Sequence, residues 1–298
     1  MSQNTRTRRL RELIAADDIL VAPGAYDAIT ARLIQANGFA AVYMTGAGTI
    51  NARLGLPDNS TGTMTEMVDT ARCIAQAVEI PVFCDIDTGY GNAINVMRTI
   101  REMETAGVAG VHLEDQVLPK KCGHLEGKEI VPVAEMVGKL QAAQEARRDD
   151  DFVIIARTDA ATVEGVDAAI ERARAYAAAG ADVIFSEALT AEEEFERFAA
   201  ADVGAPLLAN MTEFGKTPYL PVERYQEIGY AAVIFPMLAF RSMLKAVDDS
   251  LNVLRDKGTQ IDILDRMKTR AELYELVDYP RYDELERRFV RDVDVTAR

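Results

Sequence analysis

The sequence predicts an α/β protein whose strands close into a (β/α)8 barrel, and three observations carry that prediction. The chain has 298 residues, a length that such barrels commonly occupy as one domain. Short apolar, β-branched runs alternate with longer amphipathic stretches from end to end, as expected of strands buried on both faces and joined by helices. Polar residues gather at the C-terminal ends of these runs, where barrel enzymes keep their active sites. A doubly wound open sheet is the competing architecture, but it usually has fewer strands.

Residues 1–18 carry several arginines and read as an N-terminal helical segment. The first two strands are predicted at 19–22 and 40–46, with Gly38 between them as a left-handed helix cap. An amphipathic helix at 64–78 leads to strand three at 81–87, and a helix at 93–106, closed by Gly107, leads to strand four at 110–115. Helix 133–148, strand five at 152–158, helix 166–179 with Gly180, and strand six at 182–188 continue the alternation. Strand seven is predicted at 206–211 and strand eight at 231–236, after Gly229. Glycine at these positions suits the positive φ that ends many helices. From about 259 to 298 the pattern is helical and charged, with Leu273, Leu276, Leu285 and Phe289 available for packing. The chain therefore reads as a single barrel domain, 1–298, with a C-terminal helical extension.

A formal net charge of −15 argues against nucleic acid or an anionic membrane as partner, since both demand a basic face. A small anionic substrate in a locally basic pocket stays compatible with it. No apolar run is long enough to span a bilayer, and residues 1–18 lack the apolar core of a secretory signal. Cys73, Cys84 and Cys122 are odd in number and widely spaced, which suits reduced thiols in the cytoplasm. Cys73 and Cys84 read as small core residues.

Lys120-Lys121-Cys122-Gly123-His124 is the stretch richest in chemistry. A thiol between a cation and an imidazole is expected to have its pKa lowered toward neutrality, where it exchanges protons efficiently. The bland alternative is a solvated lysine pair beside an exposed cysteine. The segment around it, 117–130, holds Pro119, Gly123 and Gly127 among many charges and is expected to move as a lid. Asp85 and Asp87 are one residue apart, so a regular strand would point both to one face. With Glu114 from the next strand they offer oxygens to a hard divalent cation, of which magnesium takes one or two carboxylates directly. The alternative for Asp87-Thr88-Gly89 is capping of the following helix. Arg157 ends a buried strand as a clamp for a carboxylate. Thr45-Gly46-Ala47 offers backbone N–H groups and a hydroxyl to an anion. Glu187, Asn210 and Thr212 stand at further strand ends, whereas Arg241 and Arg270 are weak candidates on pattern alone. Tyr43 precedes the Thr45 segment and is either an organiser of the metal end or barrel packing.

Several of these segments occur in an order that resembles the isocitrate lyase and phosphoenolpyruvate mutase superfamily across nearly the whole chain. They are Asp85-Ile86-Asp87-Thr88-Gly89-Tyr90-Gly91, the Lys-Lys-Cys-Gly-His segment, Asn210-Met211-Thr212-Glu213-Phe214-Gly215, Asn252-Val253-Leu254-Arg255 with Gly258-Thr259-Gln260, and Thr269-Arg270. The Cys122 segment is similar to the signature of the lyase branch, and the short chain is similar to its methylisocitrate-cleaving members. The resemblance implies a TIM-type barrel whose last helix is exchanged between subunits, with dimers pairing into a homotetramer. It also implies magnesium, with manganese as a substitute, and cleavage of 2-methylisocitrate to pyruvate and succinate in the methylcitrate cycle of propionate catabolism. Carried over by position, Asp85 and Asp87 hold the metal directly or through water, with Glu114 nearby. Cys122 is the catalytic acid, with Tyr43 and His124 beside it. Thr45, Gly46, Ala47, Gly123, Arg157, Glu187, Asn210, Thr212, Arg241 and Arg270 bind substrate. Thr45-Gly46-Ala47-Gly48 also resembles 2,3-dimethylmalate lyases and oxaloacetate hydrolases, which are the rival activities. An inactive barrel serving as a scaffold is the rival of another class, and retention of Asp85, Asp87, Cys122 and Arg157 together argues against it.

Overall fold

The computed structural model describes residues 3–290, so residues 291–298 of the expected tail lie outside the described residues. Strands β1 (Leu20–Ala25), β2 (Val42–Met44), β3 (Val82–Asp85), β4 (Gly110–Glu114), β5 (Val153–Thr158), β6 (Val183–Ser186), β7 (Leu207–Asn210) and β8 (Ala232–Phe235) close into a barrel in chain order. Every pairing is parallel, including the closing β1–β8 pair, which matches Leu20 with Ala232 and Ala22 with Ile234. The barrel is the predicted one. Seven strands are trimmed by a residue or two at one or both ends, whereas β1 runs beyond its expected end at Ala22, through Pro23 and Gly24. A Cβ on Gly24 would lie 2.1 Å from the Pro236 carbonyl oxygen, so only glycine lets the strand pass there.

Alternation along each strand builds two cores. Val42, Met44, Cys84, Val111, Leu113, Ile154 and Ala156 face outward into the helical layer. Tyr43, Phe83, Ile155, Phe185, Leu208 and Ile234 fill the barrel, joined by Leu10 and Ile14 of α1 (Gln3–Ile14). The outer layer comprises α2 (Ala28–Ala36), α3 (Gly46–Leu54), α4 (Met64–Ala77), α5 (Ala93–Ala106), α6 (Val133–Ala146), α7 (Val166–Ala178), α8 (Glu192–Ala200) and α9 (Val222–Ile228). Gly38, Gly107, Gly180 and Gly229 all adopt the positive φ expected of them. Capping boxes at Thr63 and Asn92 start α4 and α5, so Asp87 does not cap the helix after β3. Cys84 is buried, but Cys73 on α4 is exposed, which corrects its reading as a core residue.

Residues up to Arg241 form one compact unit and those from Ser242 a second. The second contains most of α10 (Leu238–Lys257), a 3-10 segment (Ile261–Arg266), α11 (Arg270–Leu276) and α12 (Tyr279–Val290). Among the described residues no helix is long and apolar enough to cross a membrane.

Candidate active site

The same alternation that fills the barrel with Phe83, Ile155 and Leu208 brings a polar residue to the last inward position of several strands. Asp85 ends β3, Glu114 ends β4, Asn210 ends β7, Arg157 lies near the end of β5, and Glu187 follows β6. Asp85, Arg157, Glu187 and Asn210 line a polar cavity of about 70 Å³, together with Tyr43, Thr45, Ala47, Thr212 and the loop residues Cys122, Gly123 and His124.

Thr45-Gly46-Ala47 is the first turn of a helix rather than a free loop. Thr45 is the N-cap of α3, and its Oγ1 accepts from the Gly48 N–H at 3.3 Å. A helix start at the cavity wall favours an anionic group. A Cβ on Gly46 would stand 2.3 Å from Asp85 Oδ2, so this turn and the carboxylate are packed in direct contact.

Asp85 and Asp87 do not share a strand face, because β3 stops at Asp85 and the backbone turns to φ 48° at Asp87. Asp85 Oδ1 holds the turn by accepting from the Asp87 N–H at 2.8 Å. Asp85 lines the cavity, whereas Asp87 lines a neighbouring space of about 400 Å³ with Thr88 and Tyr90. Lys120 bridges the acidic groups, with Nζ 2.9 Å from Asp87 Oδ1 and 2.6 Å from Asp58 Oδ2. Burial alone would strip its proton, but Asp87, Glu114, Asp58 and Asp85 hold its pKa well above the ordinary lysine range.

On the adjoining strand His112 lies 2.6 Å through Nε2 from the Tyr43 hydroxyl and 3.4 Å from Asp85 Oδ1. Burial, seconded by Arg157, pushes the imidazole down to about 3. It is therefore neutral at physiological pH. Burial and Asp85 raise Tyr43 well above the usual phenol range, so its proton stays.

Arg157 is not the free clamp expected. Its Nε and NH2 donate to Asp159 at 2.9 and 3.2 Å, and NH1 is 3.3 Å from Glu114 Oε2. Five donors leave N–H groups over for a ligand. Asp159 also takes the Lys128 ammonium at 2.8 Å. Burial would raise the Asp159 pKa, but Arg157 and Lys128 bring it below the ordinary carboxylate range. Glu187 is likewise held low against burial, by Arg157 and by His124. Asn210 Nδ2 donates to both Glu187 oxygens at 3.3 and 3.2 Å. His124 Nδ1 accepts from the Lys216 N–H at 3.0 Å, and Nε2 stands 3.0 Å from Glu187 Oε1, which suits the tautomer with hydrogen on Nε2.

Cys122 overturns its expected tuning. The neighbouring cations turn elsewhere, Lys120 to the acidic cluster and Lys121 to the Gly127 carbonyl at 2.6 Å. Although the residue is exposed overall, desolvation of the thiol raises its pKa, and the neighbouring Glu187 adds to the rise. At the outer mouth, Arg241 stacks over the Phe214 ring at 5.3 Å and lies 3.7 Å from Glu213. With Leu125 and Thr212 these residues line a wider vestibule. Arg270 opens α11 in the second unit.

Among the described residues no three His, Cys, Asp or Glu side chains converge as a metal cage. The donor set nevertheless fits a hard cation that keeps several waters. Glu114 Oε1 is buried without a hydrogen-bond donor, while Glu114 Oε2 and Asp87 Oδ1 are in ion-pair contact with Arg157 and Lys120. The carboxylates of Asp58, Asp85, Asp87, Glu114, Asp159 and Glu187 outnumber the ammonium and guanidinium groups of Lys120, Lys128 and Arg157. Burial pushes Asp85 and Glu114 up, and Asp87 up to about 6. A divalent cation is the counter-charge that reverses such shifts.

His112, Asp58 and Lys128 escaped the sequence reading. His112 was accessible, since it shares the inward parity of Glu114 on β4 and is one of only two histidines. Asp58 and Lys128 sit in loops, where no periodicity assigns a direction.

A closed parallel barrel with a carboxylate-rich cavity at its C-terminal end, a guanidinium and a loop-borne thiol defines a barrel enzyme acting on a small anion. The family model described as phosphoenolpyruvate phosphomutase matches residues 10–255. The chain is 50% identical over 289 residues to a 2-methylisocitrate lyase of Aeropyrum pernix, covering 97% of this chain and 91% of that protein. A crystal structure of 2,3-dimethylmalate lyase superposes with a TM-score of 0.90 at 36% identity, covering 97% of this chain and 95% of the other. Phosphonopyruvate hydrolase in complex with oxalate and Mg++ superposes with a TM-score of 0.87 at 29% identity, over 97% and 100% of the two chains. The chain belongs to the PEP mutase/isocitrate lyase superfamily.

Proposed function

We propose that this carbon–carbon lyase cleaves 2-methylisocitrate to pyruvate and succinate, with magnesium bound at Asp85, Asp87 and Glu114, directly or through water, and manganese able to replace it. The observation that carries the reading is one small cavity lined at once by Asp85, Arg157 and the Cys122 loop. Half-identity to a 2-methylisocitrate lyase over nearly the full chain supports the substrate.

The cation supplies Lewis-acid stabilisation of negative charge developing at the substrate hydroxyl oxygen. The helix start at Thr45, the spare Arg157 donors and Asn210 receive carboxylates, with Arg241 as a further donor. As the carbon–carbon bond breaks, the substrate hydroxyl gives its proton to a carboxylate of the acidic cluster, its oxygen becomes the pyruvate ketone, and the electron pair stays on the succinate carbon. Cys122 delivers its proton to that carbon. A raised thiol pKa suits this role, because the group must arrive protonated. His124, pinned to Glu187, orients the loop beside it, and neutral His112 with Tyr43 holds the Asp85 carboxylate in place.

A 2,3-dimethylmalate lyase is the second reading, favoured by the similarity to that enzyme in sequence and in fold. A substrate panel with product identification decides. A higher kcat/KM for 2,3-dimethylmalate or oxaloacetate than for 2-methylisocitrate would overturn the first reading.

We also assign the enzyme to the cytoplasm and to a homotetramer that exchanges C-terminal helices. Leu244, Val247, Leu251 and Leu254 of α10 are exposed at the three-and-four spacing of a helix-packing seam, which supports a subunit contact.

A further inference from the structure

The loop from Val117 to Ile130 is fastened at its base by the Gln116–Ile130 bridge and by the Val117 N–H donating to the Glu129 carbonyl at 2.8 Å. The Gln116 side chain shapes it internally, bonding both the N–H and the carbonyl of Lys121 at 2.9 Å. None of these contacts decides whether its tip lies over the cavity. Lys128 has a different reach. Its Nζ donates to the carbonyl of Gly123, next to Cys122, at 2.5 Å, and to Asp159 Oδ1 at 2.8 Å.

Asp159 is anchored from behind. Its N–H donates to Asp115 Oδ1 at 2.9 Å, and Asp115 Oδ2 accepts from Thr158 Oγ1 and Tyr176 at 2.8 and 2.9 Å. The acid belongs to the barrel and cannot follow the loop outward. Both charges are buried, so separating them without solvent would strand each one. Asp159 also holds the Nε and NH2 of Arg157. The Gly123 backbone packs against Arg157 and Glu187 so tightly that a Cβ would lie 2.5 Å from each.

We propose that Lys128 is a positioning residue that latches the Cys122 loop over the cavity through Asp159, so that loop docking and the seating of Arg157 share one carboxylate. The inference rests on the proposed role of Cys122 for its effect on turnover, but its structural half is tested without the reaction. In the intact protein, Cys122 alkylation is followed by mass spectrometry with no ligand present. Lys128→Met should label about tenfold or more faster than the unsubstituted protein, because undocking carries the thiol away from Glu187 and the cavity wall that desolvate it. Lys128→Arg, which keeps the charge and reach, should stay within about threefold of the unsubstituted rate. In kinetics, Lys128→Met should lower kcat by about 10²-fold while KM changes far less, as expected when only the reacting group is misplaced. Lys128→Gln serves the same comparison if the methionine variant does not fold. A folded Lys128→Met or Lys128→Gln protein with unchanged Cys122 labelling would overturn the latch, whatever reaction the enzyme catalyses. Faster labelling in a protein without lyase activity would uphold the latch and count against the proposed function alone.

Discussion

The two halves of the cavity wall are held by different physics. Asp85, Glu114, Arg157 and Asn210 occupy strand ends, where barrel register and side-chain alternation fix their direction. Cys122, Gly123 and His124 stand on a loop whose place depends on a few ionic and polar contacts made by Lys120, His124 and Lys128. The strand-borne half brings buried like charges together at a cost in solvation, visible in the raised pKa values of Asp85 and Glu114. The loop-borne half has little of its own hydrophobic core, and Leu118 and Leu125 remain exposed. A rigid base that binds and a docked loop that reacts are thereby separable by mutation.

The largest separation is expected from Cys122→Ser. Turnover should fall by about 10³-fold or more, since a serine hydroxyl is far too weak an acid to replace the thiol. The thermal midpoint should not move, because the residue is exposed. Near-normal kcat in this variant would remove Cys122 from the reaction.

Asp85→Ala tests the strand-borne half. Activity should drop by about 10²-fold or more, and the stabilisation that added magnesium is expected to give the unsubstituted protein in thermal melts should disappear along with it. A magnesium-dependent shift as large as that of the unsubstituted protein would place the cation elsewhere. Exhaustive chelation of the unsubstituted enzyme should stop turnover, and magnesium should restore it.

Gly123→Ala joins the halves. Its Cβ would meet Arg157 NH2 and Glu187 at 2.5 Å, so the loop tip must lift. We expect a loss of about 10²-fold in kcat with far-ultraviolet circular dichroism unchanged. Wild-type kinetics would show that the tip does not need to sit as closely as the structure places it.

The smallest effect concerns proton affinity. Because desolvation raises the Cys122 pKa above its usual 9.0, its thiolate fraction at neutral pH is below that of a free cysteine. Alkylation should therefore keep accelerating through pH 9, where a small free thiol is already levelling off. A plateau near pH 7 would restore the thiolate tuning expected from the flanking cations.

The barrel was legible in the sequence because both of its periods are local. Strands such as Val183–Ser186 open on continuous apolar runs and follow a positive-φ glycine at Gly180, and alternation points Asp85, Glu114 and Arg157 inward without knowledge of neighbours. That local rule also contained His112, whose partners Tyr43 and Asp85 come from two other strands and could be named only once the register was set. It failed at Asp87, where a positive φ two residues beyond the end of β3 broke the alternation. The Cys122 segment showed its chemistry but not its electrostatics. Adjacency in sequence put cations beside the thiol, whereas folding sent Lys120 to Asp58 and Asp87 and left Glu187 near the sulfur. What the sequence alone determined, then, was the barrel and the identity of most polar residues at its mouth, since these follow from patterning over a few residues. Which charges meet, which pKa values move and what holds the loop down were decided only by tertiary structure, because Coulomb and desolvation energies depend on distances between segments far apart in the chain.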